Sequence, residues 1–344
     1  MKALIYKDKN TVTLTDRPLP TLQSPTDAII KLSHTAICGT DLHIIKGDVA
    51  TATPGRVLGH EGVGVIHELG ASAESEGRLS KGDTVLISCI TACGACPFCR
   101  KEMSSHCVSG GWILGNTIDG TQAEYVRIPH AASSLYKLPP GKVSLRDAVM
   151  LSDALPTGLE CGTMNGKVAP GSTVVIIGAG AVGMSVMLTS MLYSPALLVV
   201  VDLDETRLAM ARELGAHETV NSGGDKGQVV ERLMKMTDGL GFDAVVEAVG
   251  IPGTFELCQE LVAAGGVVAN VGVHGTKVDL HLERLWDRNI SITTRLVDAT
   301  TTPMLLKLFQ AGRLDMSKLT THREYPLQIL HSCFPYLRLD CYPI

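Results

Sequence analysis

The pattern of hydrophobic and polar positions changes once along the chain. Before about Leu155, short β-branched runs are separated by turn residues, which is typical of a barrel-like β domain. These runs are residues 28–32, 62–66 and 83–87. After Leu155, buried strands alternate with helical stretches, which predicts a parallel doubly wound sheet. The predicted strands are 173–177, 197–201, 244–247, 267–271 and 290–294, and the predicted helices are 182–193, 205–214 and 254–264.

One stretch of this α/β pattern could also be a membrane helix. Residues 168–201 contain no charged side chain and are long enough to cross a bilayer. Gly178, Gly180 and Gly183 interrupt the stretch, and Pro195 follows them. A strand, a glycine turn, a helix and a second strand explain these positions better, and we expect no membrane partner.

Composition narrows the function classes. The 344 residues, 45% hydrophobic and 19% charged, suit two globular domains and exclude a disordered chain. The net charge of -5 provides no basic field for nucleic acid phosphates, so we exclude that partner. Residues 1–8 are too charged for a signal peptide, and clustered thiols in such a chain point to metal, so we expect a cytoplasmic protein.

The glycine turn is a dinucleotide-binding candidate. Its G-x-G-x-x-G motif follows a buried strand and begins a helix. The free backbone N–H groups at the start of that helix could bind the pyrophosphate of a dinucleotide. Asp202 ends the next strand, 19 residues after Gly183, where an acid binds the ribose. The alternatives are an ordinary tight turn and an Asp202 that only caps the helix beginning near Glu205. The candidate coenzyme residues here are Gly178, Gly180, Val182, Gly183, Asp202 and the nearby cation Arg207.

Four cysteines in one window predict a structural zinc site. They follow the pattern C-x-x-C-x-x-C with a fourth cysteine after seven more residues, and four thiolates close a tetrahedral site with no open position. The alternative is four reduced thiols without metal. These residues are Cys93, Cys96, Cys99 and Cys107. Cys89 lies just outside the pattern and is interpreted as a core residue.

Two further segments carry possible metal ligands. They read C-G-T-D-L-H from Cys38 and G-H-E-G around His60. Singly, a cysteine is more often a buried small hydrophobe and a histidine a satisfied core group. Taken in order with the four-cysteine loop and the glycine turn, these motifs resemble those of the zinc-containing medium-chain alcohol dehydrogenases. Residues 111–125 are similar to a microbial subgroup that acts on broad or secondary alcohols.

The resemblance implies a domain organisation and an assembly. It implies a GroES-like β-barrel-type catalytic domain over residues 1–155 and a Rossmann NAD-binding domain over residues 156–296. A return segment to the catalytic domain would follow over 297–344. In this tail, four of the chain's fourteen aromatic residues fall within the last 21 positions, an atypical composition that suggests an altered reading frame or splice product. A homodimer or homotetramer is also implied.

The resemblance also implies roles around a catalytic zinc. Cys38, His60 and Asp153 would be its ligands and would leave a fourth position open. Glu61 would approach the metal, and Asp41 would hydrogen-bond the far nitrogen of His60. Zinc would act as a Lewis acid while a hydride passes between NAD and a small alcohol, aldehyde or ketone.

A proton relay and the pocket complete these expectations. The resemblance implies that Thr40 would take the departing proton and hand it through the coenzyme ribose, and that His43 would pass it to solvent. The alternatives are a turn hydroxyl and a surface histidine. Thr157, Val271 and Val273 would contact the nicotinamide. Trp112 either lines the substrate pocket or seals the core. Two other functions stay open: a polyol or amino-alcohol dehydrogenase, and a zinc-stapled protein without catalysis.

Overall fold

The computed structural model of the protein describes residues 1–141, 143–317 and 319. The chain forms two compact units. The first contains Met1–Pro156 and the described residues from Val297 onward, and the second contains Thr157–Leu296. The domain boundaries proposed from the sequence, after residues 155 and 296, lie within one residue of these divisions. The atypical tail lies outside the described residues.

The first unit is built from antiparallel β-structure. Its described strands are β1 (Lys2–Asp8), β2 (Thr11–Asp16), β3 (Ala28–Thr35), β4 (Gly62–Leu69), β5 (Thr84–Ile87), β6 (Tyr125–Ile128) and β7 (Leu135–Lys137). Strands β1 and β2 pair with each other, and the others form one sheet in the order β6-β3-β4-β5-β7. Alternate side chains such as Ala28 and Ile30, or Val85 and Ile87, are fully buried in one core, as the two-residue period of a strand requires.

The second unit contains a six-stranded parallel sheet. Its described strands are β8 (Thr173–Ile177), β9 (Leu197–Asp202), β10 (Glu218–Asn221), β11 (Phe242–Glu247), β12 (Val262–Asn270) and β13 (Ser291–Thr294). They lie in the order β10-β9-β8-β11-β12-β13, and every neighbouring pair is parallel. The predicted doubly wound sheet is therefore confirmed. Such sheets bind ligands at the carboxyl ends of the strands, where the chain reverses direction across the sheet.

Helices connect these strands. The described α-helices are α1 (Gly39–Lys46), α2 (Ala71–Ser75), α3 (Ala131–Ser134), α4 (Leu145–Ala148), α5 (Ala154–Thr157), α6 (Ala181–Met191), α7 (Glu205–Glu213), α8 (Lys226–Lys235), α9 (Pro252–Leu261), α10 (Leu282–Leu285) and α11 (Thr302–Gln310). Short 3₁₀ turns lie at Cys99–Lys101, Ser104–His106 and Val149–Leu151, and a π-helical turn lies at Gly158–Met164.

The structure decides two of the sequence predictions: the nature of the charge-free stretch and the length of the helix predicted over 254–264. The charge-free stretch 168–201 contains strand β8, helix α6 and strand β9, and no helix within the described residues is long and apolar enough to cross a membrane. The helix predicted over 254–264 is too long. It ends at Leu261 because Val262 begins β12 and pairs with Phe242 of β11.

Candidate metal centres and coenzyme loop

Three side chains from distant positions converge in the first unit. The possible ligand atoms of Cys38, His60 and Asp153 all lie within 4.8 Å of one another. His60 Nε2 is 3.1 Å from Asp153 Oδ2, and Cys38 Sγ is 3.7 Å from the same oxygen. A sulfur, a nitrogen and a carboxylate oxygen form a donor set that zinc accepts, and three protein ligands would leave the fourth position of a tetrahedral zinc open.

Local sequence chemistry places the first two donors. Cys38 is the residue before α1, and Asp41 Oδ2 accepts a hydrogen bond from the Cys38 N–H at 2.9 Å, which closes the first helical turn. Gly59 precedes His60 with a φ of +93°, a conformation that favours glycine. A Cβ at Gly59 would also lie 2.7 Å from the side chains of Thr121 and Gln122. The chain can therefore turn closely past these residues and aim His60 at Cys38.

The third donor is held by the segments that begin β4 and follow β5. Ser152 Oγ bonds both the N–H and the carbonyl of Gly62, at 3.1 and 3.3 Å. The Cys89 N–H donates to the Ser152 carbonyl at 3.1 Å. The Cys89 thiol itself donates to Asp153 Oδ1 at 3.4 Å. Cys89 is thus buried, as expected of a core residue, but it also contacts a candidate ligand.

Burial shapes the charges at this cluster. Burial raises the pKa of the Cys38 thiol to about 11, although a hydrogen bond to His60 opposes the rise. Burial and the neighbouring Asp153 raise the pKa of Glu61 to about 8. Burial lowers the pKa of His60, but contacts with Asp153 and Cys38 outweigh it, so the net pKa is raised. Metal ligands of these types bind a cation in their deprotonated forms, so metal binding at this cluster would release protons.

The expected hydrogen bond between Asp41 and His60 is not formed. His60 Nδ1 and Asp41 Oδ1 are 3.8 Å apart, and both are buried without a hydrogen-bond partner within the described residues. The other Asp41 oxygen is held by the Cys38 N–H and by Gln122 Nε2, each at 2.9 Å, which limits how far the carboxylate can turn. Two unpaired buried polar atoms beside the donors fit a site that is completed when a metal binds.

The four-cysteine loop brings all four of its sulfurs within 4.8 Å. Reciprocal backbone hydrogen bonds between Thr91 and Gly111 close its base. The backbone N–H groups of Cys99 and Val108 lower the pKa of Cys96 to about 6, whereas burial and the neighbouring thiols raise the pKa of Cys99 to about 12. Four sulfurs within 4.8 Å of one another fit a closed cation site that would hold all four as thiolates.

A side chain from much later in the sequence anchors this loop. Ser105 lies between the third and fourth cysteines, and both its N–H and its hydroxyl donate to Asp298 Oδ1, at 2.9 and 2.6 Å. Asp298 is buried and belongs to the same unit as the loop. The loop is therefore fixed from outside its own sequence window.

Thr40 and Trp112 contact residues of the first cluster, whereas His43 lies further along α1. Thr40 Oγ1 is 3.7 Å from Cys38 Sγ. His43 Nδ1 bonds Asp48 Oδ2 at 3.0 Å, and the histidine side chain is 14% exposed. The ring of Trp112 meets that of His60 edge to face, with centroids 6.4 Å apart. Trp112 also packs on a core cluster, so it both borders the candidate site and covers the core.

The glycine turn of the second unit is arranged as its motif predicts. A Cβ at Gly183 would lie within bonding distance of the Gly178 carbonyl, so only glycine lets α6 begin this close to β8. A Cβ at Gly180 would meet no described atom within 4 Å, which leaves its backbone open to a ligand. The Ala179 N–H donates to Asp202 Oδ2 at 2.6 Å, so the acid that ends β9 touches the turn directly.

The helix-capping alternative applies to a different acid. Asp204, not Asp202, caps α7, because its Oδ1 accepts the N–H groups of Thr206 and Arg207. Arg207 Nη1 lies 3.8 Å from Asp202 Oδ2. The Arg207 guanidinium therefore lies close to Asp202, the candidate for binding the ribose.

The remaining coenzyme candidates lie at element ends. Thr157 ends α5, and Val182 lies in the first turn of α6. Val271 follows β12, and its N–H donates to the Glu247 carbonyl at the end of β11. Val273 is 46% exposed two residues later. The two valines thus lie just beyond the carboxyl end of β12, where a doubly wound sheet binds its ligand.

Comparison with known proteins identifies the family. Residues 24–140 match the family described as "Alcohol dehydrogenase GroES-like domain", and residues 182–311 match "Zinc-binding dehydrogenase". "Zinc-type alcohol dehydrogenase B" of Aspergillus flavus is 34% identical over 297 residues, covering 85% of this chain and 68% of that protein. The chain belongs to the zinc-containing medium-chain alcohol dehydrogenases.

Solved structures of these dehydrogenases agree in fold. The apo form of zinc-dependent alcohol dehydrogenase 2 from "Streptococcus pneumonia" is 46% identical, with a TM-score of 0.93 over 98% of this chain and 94% of that one. A zinc-binding dehydrogenase from Sinorhizobium meliloti 1021 bound to NADP is 25% identical, with a TM-score of 0.81 over 92% of this chain and 90% of that one. The chain is thus a zinc-dependent oxidoreductase with a nicotinamide coenzyme.

Sequence reasoning missed several partners of the candidate residues. Cys89 was interpreted only as a core residue, although it contacts Asp153. Gln122, which is fully buried, holds Asp41, and Asp48 holds His43. Asp48 had a local signal, since it lies five residues after His43 just beyond a helix end. Gln122 had none, because it comes from a segment 81 residues away from Asp41.

Proposed function

We propose that this dehydrogenase interconverts small alcohols and their aldehydes or ketones with NAD(H), and that each chain holds two zinc ions. One zinc would be held by Cys38, His60 and Asp153. The other would be held by the four-cysteine loop and would stabilise the fold. The convergence of three chemically suited donor atoms within 4.8 Å, on the fold of this family, carries the proposal.

The chain's own residues have distinct tasks in this proposal. Zinc, when bound, supplies Lewis-acid polarisation of the substrate oxygen. Trp112 presents apolar ring surface beside His60, which favours a small alcohol over a polyol. Thr40 takes the hydroxyl proton at Oγ1, and His43, whose Nδ1 is held by Asp48, releases that proton to solvent.

The second unit selects the coenzyme. Asp202 accepts the ribose hydroxyls of NAD, while the open backbone at Gly180 and the start of α6 face the pyrophosphate. Its carboxylate repels the extra phosphate of NADP. Following the family resemblance, we extend the proposal to a cytoplasmic homodimer or homotetramer.

An absorbance assay for NADH tests the reaction. The metal-loaded enzyme is incubated with NAD and a panel of primary alcohols, secondary alcohols and diols. We expect turnover of simple alcohols, and we expect Asp153→Asn to abolish it while the fold is retained. Asp147→Asn is the matched control, because Asp147 lies in α4 of the same unit and outside the donor cluster. Fully metal-loaded protein that oxidises none of the panel would support the zinc-stapled binding protein instead.

A further inference from the structure

The thiol of Cys89 is buried against a candidate metal ligand. Cys89 follows strand β5 and is 1% exposed. Its Sγ lies 3.4 Å from Asp153 Oδ1, and its backbone N–H donates to the carbonyl of Ser152 at 3.1 Å. One residue thus contacts both the ligand side chain and the backbone immediately before it.

The two oxygens of Asp153 face different partners. Oδ2 lies 3.1 Å from His60 Nε2 and 3.7 Å from Cys38 Sγ, so it points to the other donors. Oδ1 points to Cys89. A thiol is a weak donor, but in a buried site it can still favour one orientation of a carboxylate. The contact with Cys89 therefore favours the orientation in which Asp153 Oδ2 faces the other donors and Oδ1 faces away from them.

We propose that Cys89 is a positioning residue for the catalytic metal. Its thiol holds Asp153 Oδ1, so that Oδ2 is the single oxygen offered to zinc. This inference rests on the proposed function, because it assumes that Cys38, His60 and Asp153 bind the metal. Groups that hydrogen-bond a ligand in this way typically contribute 10–100-fold to metal affinity or activity.

Metal competition on the cobalt-substituted protein tests the role. The enzyme is loaded with Co²⁺ at both sites, and the release of each ion to a chelator is followed by absorbance. We expect Cys89→Ala to weaken the catalytic ion about 10–100-fold, with the four-cysteine ion unchanged. Cys89→Ser keeps a hydrogen-bond donor at this position, so it should recover most of the affinity for the catalytic ion. This second variant keeps the test valid if Cys89→Ala fails to fold.

The matched control is Cys258→Ala. Cys258 is buried to the same degree in the second unit and lies outside both candidate metal sites, so it tests loss of a core thiol alone. We expect it to leave both ions unchanged. If Cys89→Ala and Cys89→Ser both keep wild-type affinity, the positioning role is overturned. Loss of sulfur-to-cobalt charge-transfer absorption in Cys89→Ser would also overturn it, since Cys89 would then be a ligand.

Cys38→Ala distinguishes failure of the positioning role from failure of the proposed metal site. Cys38→Ala should lose the catalytic ion. If it does so while Cys89→Ala does not, only the positioning role fails. If Cys38→Ala keeps both ions with unchanged affinity, the proposed metal site itself fails, and the inference fails with it.

Discussion

Two acids in the second unit lie two positions apart and have separate contacts. Asp202 reaches back to the glycine turn through the Ala179 N–H, whereas Asp204 caps α7. The sequence alone left open which task Asp202 performs, because either acid precedes a helix. The hydrogen bonds assign the cap to Asp204, which leaves Asp202 beside the candidate ribose site.

Asp202→Ser should therefore change coenzyme preference. Two unit charges about 4 Å apart repel by about 4 kcal/mol at an effective dielectric near 20. Discounted for the charge of Arg207, whose Nη1 lies 3.8 Å from Asp202 Oδ2, this becomes about 2 kcal/mol, or roughly 30-fold. We expect the ratio of kcat/KM for NAD over NADP to be well above ten in the native enzyme and to collapse in Asp202→Ser. Asp204→Ser, which keeps a capping side chain, is the control and should preserve the ratio. A native ratio near one would remove Asp202 from coenzyme selection.

A second residue-level prediction concerns the relay. His43→Gln removes a group that can accept and release a proton, so it should lower the rate at pH 7 and flatten the pH–rate profile. Coenzyme affinity should change little. The control is His67→Gln, because His67 is exposed on β4 and packs on Tyr125. A profile identical to that of the wild type would exclude His43 from the proton path.

The role of an individual residue could be predicted from the sequence only where that residue belongs to a recognisable motif. Cys38 and His60 belong to short segments whose order is specific, so their roles followed from resemblance. The contact of Cys89 with Asp153 spans 64 residues and joins two positions with no shared motif. A lone cysteine at the end of a hydrophobic strand has the pattern of a core residue, and only tertiary packing distinguishes the two roles.

At the scale of elements, strands were easier to predict than their neighbours. The run from Thr173 to Ile177 is continuously β-branched or aliphatic and lies between turn residues, so its predicted bounds are confirmed. The error at the end of α9 has the opposite cause. Residues 262–264 read Val-Ala-Ala, which suits a helix locally, but pairing of Val262 with Phe242 across the sheet outweighs that propensity.

Helix α7 offers a test at this scale. Removing its cap with Asp204→Ala should lower the free energy of unfolding by about 1 kcal/mol at pH 7, while Asp204→Ser should lower it less. Burial opposes the change, but the N–H groups of Thr206 and Arg207 still lower the pKa of Asp204 below 3.8. The cap's contribution is therefore complete above that value and is lost as the pH falls through the lowered pKa.

Urea unfolding measures this difference. The wild type and Asp204→Ala are compared at pH 7 and at the lowest pH at which both remain folded. We expect the gap between them to shrink in acid. An equal gap at both pH values would mean that the side chain acts by packing rather than as a charged cap.

At the scale of the whole molecule, the two candidate metal sites share one unit but differ in the number and type of their donor atoms. The donor cluster around His60 keeps a position open, whereas four sulfurs close the other site. We therefore expect Cys96→Ser to lose one zinc per chain and to lower the melting temperature, because structural zinc contributes folding free energy directly.

The complementary variant should behave differently. Asp153→Ala should weaken retention of the other zinc and abolish turnover, with little change in secondary structure by circular dichroism. Metal analysis of the native enzyme should find two zinc ions per chain, and Cys161→Ser, a buried thiol of the second unit, should keep both. A single zinc in fully active protein would contradict the two-site assignment.

The bond between Ser105 and Asp298 has a consequence for biosynthesis. The two residues are 193 positions apart, and the second unit lies between them in the sequence. At about 5–20 residues per second, the ribosome needs roughly 10–40 s to reach Asp298 after adding Ser105. The cysteine loop is therefore synthesised well before Asp298, so the zinc that we propose for it could bind before this anchor exists. The first unit therefore receives its described residues from Val297 onward only after residues 157–296 of the second unit have been synthesised.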